Sequence, residues 1–451
     1  MRESQHLLQI ASGCMEKALK SGADAADVVM SESNDVSIRW RLGNLESIER
    51  AETESLGLRV FVGKKGGFQQ AIVSSNDLSE KAIAELTERA IAMAKLAPVD
   101  PFGGLVEENL LAKEIPELDL LDSFAPSDEK LEEWAAKAEQ SALEVKGVTN
   151  SDGSDANYSL DRFALVTSNG FAREQDASSF SASVSVIAGK GTNMETDYDY
   201  HVTRHAEDLK LPEKIGRTAG ERAVKRLKPR KIKTCQAPVI FDPRVAKSLL
   251  GSLSGAINGA AIARGTSFLK DKMNQQIFPE NVNIIDNPLR LRGINSEAFD
   301  SEGVAGKTLS VVENGILKTW LLDLRSANKL GLKTNGRASR SISSPPHPSH
   351  SNFYMEGGNV SPAELMSDIK EGVYITDLFG MGINGVTGDY SQGAAGFFIE
   401  KGQITYPISE ITIAGNLKDM FMKLIPANDL VFYYGTNCPT LRIEGMTIAG
   451  S

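Results

Sequence analysis

The feature that most limits how this chain can fold is a pattern that returns after about 126 residues. The first copy opens with a helical spacing over Glu3–Lys20, with Leu7, Ile10, Ala11, Met15, Ala18 and Leu19 on one face, and stops at Gly22. Strand patterns follow at Asp27–Ser31, at Val36–Leu42 with a turn at Gly43-Asn44, at Leu56–Val62 and at Phe68–Ser74. A long helix, Leu78–Leu96, ends the unit. In the second copy Ser127 caps a helix over Asp128–Val145, strands run over Arg162–Thr167 and Ser181–Ala188, and the helix Leu211–Leu227 closes it. Gly63 and Gly189 keep the same offset, as do Gly43-Asn44 and Asn169-Gly170. Two α-β-hairpin-α units are therefore expected, with related sheets side by side and the Pro-rich stretch Ala97–Pro126 between them.

A second boundary falls at Pro229–Pro238. Beyond it short strands and turns dominate: Pro238–Phe241, Gly303–Lys307, Leu309–Val312, a turn at Asn314-Gly315, and Leu317–Leu322. Lys333–Asn352, polar with three prolines and six serines, reads as a long mobile loop. Ser361, Pro362 and Glu364 form a capping box that opens a helix. The expected class is α+β: a duplicated α-β-hairpin-α half (residues 1–115 and 116–230) and a β-rich C-terminal domain (231–451) around a Gly-rich helix.

With 41% hydrophobic and 24% charged residues, the composition is that of a soluble globular protein. The net charge of −10 repels DNA and anionic membrane alike. Cys14, Cys235 and Cys438 are too few and too scattered for a disulfide framework, which fits a reducing cytoplasm. The N-terminus mixes charges into its apolar run and does not read as a signal peptide. The least polar run, at roughly 15 residues, is too short to span a membrane.

That run, Ser248–Ala263, reads as one buried helix with Gly251, Gly255 and Gly259 on one face. Each glycine costs about 1 kcal/mol against alanine, so either a neighbouring backbone packs on the stripe or the face serves a site. Gly255-Ala-Ile-Asn-Gly-Ala-Ala-Ile-Ala-Arg-Gly-Thr-Ser-Phe-Leu269 resembles the central helix and following loop of the TldD/PmbA family, bacterial and archaeal proteins linked to proteolysis and to maturation of a gyrase-targeting peptide antibiotic. In the TldD branch this helix carries a His-Glu-x-x-x-His zinc motif. By register its ligand positions fall on Leu250 and Gly255 and its catalytic Glu on Gly251, so the chain resembles the PmbA/TldE branch, which lacks the metal site. The block Gly380–Pro407 resembles the family's C-terminal signature, with Asn384, Thr387, Gly388, Tyr390, Ser391 and Gly396 matching. Those residues suit either a backbone-lined peptide groove at a sheet edge or a structural turn network. The resemblance implies no catalytic residue, metal or cofactor on this chain, zinc on a TldD-like partner in a heterodimer, peptide substrates and a cytoplasmic location. Self-association as a homodimer is the alternative for the isolated chain.

Other candidates are weaker. His347 and His350 have a loop spacing that metals can use, without a nearby third ligand. His201 and His205 would share a face only in a helix, and Thr196–Tyr200 looks like strand. Cys438 is near, but out of register with, a cysteine ligand of the metal-bearing branch. Lys225, Arg226, Lys228, Arg230, Lys231 and Lys233 form a basic run that reads as a solvated linker rather than a nucleic-acid site. Asp286, Glu297, Asp300 and Glu302 surround a Gly-rich turn, where loop solvation explains them better than a paired-carboxylate site. A homo-oligomeric hydrolase and a DNA gyrase modulator remain as alternative functions, the second predicting salt-sensitive DNA binding.

Overall fold

In the computed structural model, residues 6–380 and 382–450 are described. The expected helix start at residues 3–5 and Met381 of the signature block lie outside them. The first repeat runs α1 (His6–Lys20), β1 (Ala25–Arg41), β2 (Asn44–Lys64), β3 (Gly67–Ser75) and α2 (Glu80–Leu96). The second runs α3 (Asp128–Leu143), β4 (Val148–Thr167), β5 (Ala172–Ala188), β6 (Glu195–Thr203) and α4 (Pro212–Lys225). The repeats do not form two sheets. They share one antiparallel sheet in the order β3-β2-β1-β4-β5-β6, joined where β1 pairs with β4 from Asp27↔Thr167 to Trp40↔Ser154.

The strands are also longer than expected. The two expected strands Asp27–Ser31 and Val36–Leu42 are one, β1 passing straight through the polar residues between them. Its backbone is paired on both sides, Asn34 with Glu52 on β2 and with Leu160 on β4, so a polar stretch costs the ladder nothing. The β1–β2 hairpin turns on Leu42 (φ 49°) and Gly43 (φ 76°), the paired positive φ of a two-residue I′ turn, one residue earlier than expected. Leu7, Ala11, Cys14 and Ala18 of α1 pack with Leu86 and Ala90 of α2 against Val28, Met30, Leu58 and Val60 of the sheet. Each fully buried Leu or Val contributes about 1.5–3 kcal/mol.

The C-terminal domain is a small closed barrel with appendages. Its ring comprises β7 (Cys235–Phe241) and the strands Glu371–Phe379, Asp389–Glu400, Gln403–Asn416 and Leu441–Ala449. Thr412–Ala414 pair with Thr447–Ala449 and close it, which leaves the ring without a long free edge. The expected strand Gly303–Lys307 is reduced to isolated bridges at Val304 and Ala305, and Leu317–Leu322 to the two residues Ile316–Leu317.

The Gly-rich helix is two helices, α5 (Pro243–Ala256) and α6 (Gly259–Arg264). The break comes from Asn258, whose side chain accepts from the N–H groups of Ala260 and Ala261 at 3.0 and 3.3 Å and so caps a new helix instead of continuing the old one. Leu249, Leu250 and Leu253 join β7 residues Val239 and Phe241 in the largest core cluster. Lys333–Asn352 is not a free loop either: Arg337 and Arg340 are buried, as are Ser351 and Asn352. Among the described residues, no helix is long and apolar enough to cross a membrane.

Candidate functional site

Asp242 caps α5, its Oδ1 accepting from the Arg244 N–H at 2.9 Å, and Pro243 occupies the first helical position. The capping carboxylate is fixed in turn by the Tyr374 hydroxyl, which donates to its other oxygen at 2.9 Å. The helix then turns Val245, Ala246, Leu249, Leu250 and Leu253 into the core. Leu250 is 1% exposed, so a side chain there belongs to the core. Gly251 and Gly255 are exposed, and a Cβ built on either meets nothing within 4 Å. The packed glycine is Gly259, where a Cβ would press on the Leu321 carbonyl and Leu322. The three glycines are therefore not one stripe: two leave an open face and the third is a close contact.

Behind α5, the Ser254 hydroxyl and His350 Nδ1 are 2.7 Å apart, and His350 Nε2 lies 3.0 Å from the Thr436 hydroxyl. Burial lowers the His350 pKa, which keeps the ring neutral. His350 also lines a cavity of about 420 Å³ between the six-stranded sheet (Phe163 and Gln175, with Arg204 just past the end of β6) and the segments 294–301 and 337–351. The acidic residues read as solvated loop are built into this region. Asp286, Asp300 and Glu302 are all buried. Asp300 Oδ1 accepts from the N–H groups of Glu302 and Val304, each at 2.9 Å, and Oδ2 from that of Ala338 at 3.0 Å. Arg337 is fully enclosed and ion-paired with Asp286, whose Oδ1 also takes the Ser351 N–H and hydroxyl at 2.8 Å. Burial, then the neighbouring Asp300 charge, pushes the Glu297 carboxyl up to about 8 and raises Glu302 as well. Asp27, across the domain boundary, behaves oppositely. Burial would raise its carboxyl, but Arg59 and Arg340 together hold it below the ordinary range.

No local pattern pairs these acids, because Arg337 reaches Asp286 from 51 residues away and Arg340 reaches Asp27 from 313. Arg204, Gln175 and Arg340 carried no local signal at all. An Arg at i and i+3 among serines becomes meaningful only once the segment is seen to be inserted.

The remaining candidates separate. His347 is exposed and does not join His350 in a metal site. His201 lies in β6, its Nδ1 accepting from the Lys210 N–H at 3.0 Å, while His205 Nε2 sits 2.9 Å from the Asp119 carbonyl. Both are structural. Cys438 is buried and its thiol pKa raised by that burial. The basic run is dispersed: Arg226 pairs with Glu195, Asp197 and Asp377, Arg230 stacks over the Tyr406 ring, and Lys231 pairs with Glu410. In the signature block, Asn384 Oδ1 accepts from the Val386 and Thr387 N–H groups, and the Thr387 hydroxyl donates to Asp389 at 2.6 Å. Gly388 takes φ +87°, and Tyr390 is buried. Asp389–Gln392 pair with Ile413–Asn416, and the Ser391 N–H is spent on the Gly382 carbonyl, so an added peptide strand finds little open ladder there.

Three family models match in succession: PmbA/TldA metallopeptidase domain 1 over residues 26–94, its central domain over 122–227 and its C-terminal domain over 234–450. The metalloprotease PmbA of Escherichia coli O157:H7 is 38% identical over 435 residues, spanning 96% of this chain and 94% of that protein. The chain belongs to the PmbA/TldD family. Among solved structures of like fold, a candidate modulator of DNA gyrase from Bacteroides thetaiotaomicron VPI-5482 superposes with a TM-score of 0.89 at 27% identity, over 98% of both chains. TldE from Thermococcus kodakarensis has the same fold, with a TM-score of 0.83 at 22% identity, over 98% of this chain and all of that one (100%). The family is named for metallopeptidases, but the residues of this PmbA/TldD member do not fit a zinc ion on α5. Leu250 is apolar and buried, and Gly251 and Gly255 have no side chains. Among the described residues, no group of three or more His, Cys, Asp or Glu side chains could hold a metal ion.

Proposed function

We propose that this chain is the metal-free subunit of a two-chain zinc peptidase. Its partner would be a TldD-like chain bearing His-Glu-x-x-x-His, and the pair would act in the cytoplasm on unfolded or small peptides. The observation that carries this reading is the face of α5, with Leu250 committed to the core and bare backbone at Gly251 and Gly255. A helix that keeps the family scaffold but offers no ligand atom is suited to architecture, not to activating water. The open glycine face leaves room for a neighbouring backbone to approach. The zinc of the complex belongs to the partner.

The test is to tag the chain, purify it from its source cells, and measure companion chains, zinc and peptidase activity. A companion with the zinc motif, stoichiometric zinc in the complex and activity only when both chains are present are the expected results. Peptidase activity that stays with the isolated chain, or that survives a chelator, would contradict the proposal.

A further inference from the structure

A second cavity, of about 370 Å³, lies where the end of β6 meets the segments 290–294 and 432–434. Arg290 on its wall is half-buried, and its guanidinium carbon lies 3.8 Å from the centre of the Phe432 ring. That ring offers no oxygen acceptor. Among the described residues nothing accepts a hydrogen bond from the Arg290 side chain, and no carboxylate pairs with it. None of its three nitrogens is sealed from solvent: the unpartnered arginine nitrogens without accessible surface belong to Arg162, Arg204 and Arg340. His201 lines the same cavity. Its structural bond, Nδ1 accepting from the Lys210 N–H at 3.0 Å, leaves the proton of the neutral ring on Nε2. Nε2 has no acceptor among the described residues and is not sealed either.

Burial lowers the pKa of Arg290, with no carboxylate beside it to offset the effect. The acid on the cavity wall, Asp208, is taken by Arg292 at 3.0 Å, and Arg292 also binds Asp119 and Glu207. Water can reach the free N–H groups of Arg290, but an anion makes a stronger, charge-assisted bond to them. The cavity therefore offers donors without acceptors: an accessible guanidinium, an imidazole N–H, and the aromatic surface of Phe432 and Tyr433 beside them.

We propose that this cavity binds a carboxylate carried next to an apolar group, with Arg290 pairing the acid, His201 Nε2–H as a further donor, and Phe432 and Tyr433 flanking the apolar part. Asp208 on the same wall disfavours a doubly charged oxyanion such as phosphate. A volume of about 370 Å³ admits either the C-terminal residue of a peptide or a small acid with an aromatic ring. Binding here is a property of this chain and does not depend on pairing with a zinc-bearing subunit.

Isothermal titration of the full-length isolated chain tests it, with alanyl-alanyl-phenylalanine, its C-terminal amide, hydrocinnamate and inorganic phosphate as probes. Saturable binding of the peptide acid, weakened about tenfold or more by amidation, is expected. Arg290→Gln gives up no ion pair within the chain, so it should weaken that binding by about tenfold with an unchanged melting curve. Hydrocinnamate binding as tightly as the peptide acid would support the pairing and assign the cavity to small acids. Equal binding of acid and amide, preference for phosphate, no binding by any probe, or unchanged affinity in Arg290→Gln would overturn the proposal. Should Arg290→Gln fail to fold, Arg290→Lys keeps the charge and stem but loses the planar fork, and must still weaken binding several-fold. Unchanged affinity in that variant would overturn the proposal equally.

Discussion

The outward face of α5 and the cavity beyond His350 are neighbours, linked by the Ser254–His350 contact, yet they are opposites in chemistry. On α5 the positions where the family resemblance locates catalytic side chains hold a buried leucine and two bare glycines. In and around the cavity, side chains that looked like solvated loop are buried, charged and paired across the chain. The difference teaches that a helix can keep a catalytic scaffold while its chemistry is gone, and that charge density in a fold follows tertiary insertion more than local composition. It also locates where substitution should hurt most.

The largest effect is expected at the charged region. Arg337→Met strands the buried Asp286 carboxylate and should destabilise the protein by about 3–5 kcal/mol in denaturant unfolding. A loss below about 1 kcal/mol would mean that the region is far wetter than its packing indicates. Leu250→Ala removes packing from the inner side of α5 and should cost about 2–4 kcal/mol by the same measurement. If that substitution proves neutral, position 250 is not a core position and the contrast between the two faces of α5 fails.

How much of this was legible in the sequence follows the range of the interactions. Amphipathic spacing marks the helices α1 to α4, because its signals lie within a few residues of each other. The unity of the six-stranded sheet has no such signal, since the β1–β4 pairing sets Asp27 against Thr167 and leaves no mark on either strand. Apolar spacing runs through Asn258 as one more helical residue, although its side chain starts a new helix. Prolines and serines suggested mobility for residues 333–352, but Arg337 and Arg340 are fixed there by acids distant in sequence. At the site, the missing ligands on α5 could be read by register, whereas the arginine-lined cavity could not.

Two smaller effects sharpen the comparison. Glu297 has a folded pKa of about 8, above its ordinary 4.5, so folding favours its neutral form. Its contribution to stability is full below the ordinary value and is lost as pH rises through about 8. The melting temperature should therefore fall by a few degrees between about pH 6 and pH 9, and Glu297→Gln should flatten that fall; an identical slope in the variant would place the titration elsewhere. Smallest is Gly251→Ala, at an open helical position, which should stabilise the isolated chain by about 0.5–1 kcal/mol. Destabilisation there would show that the face is covered.

The most direct test of the central claim, that α5 retains a scaffold without its metal chemistry, is zinc titration of the isolated, metal-stripped chain, followed by calorimetry and by a peptide-hydrolysis assay on the same sample. No tight stoichiometric binding and no hydrolysis at any zinc level are predicted. One tightly held zinc per chain that switches on chelator-sensitive peptide hydrolysis would contradict the account.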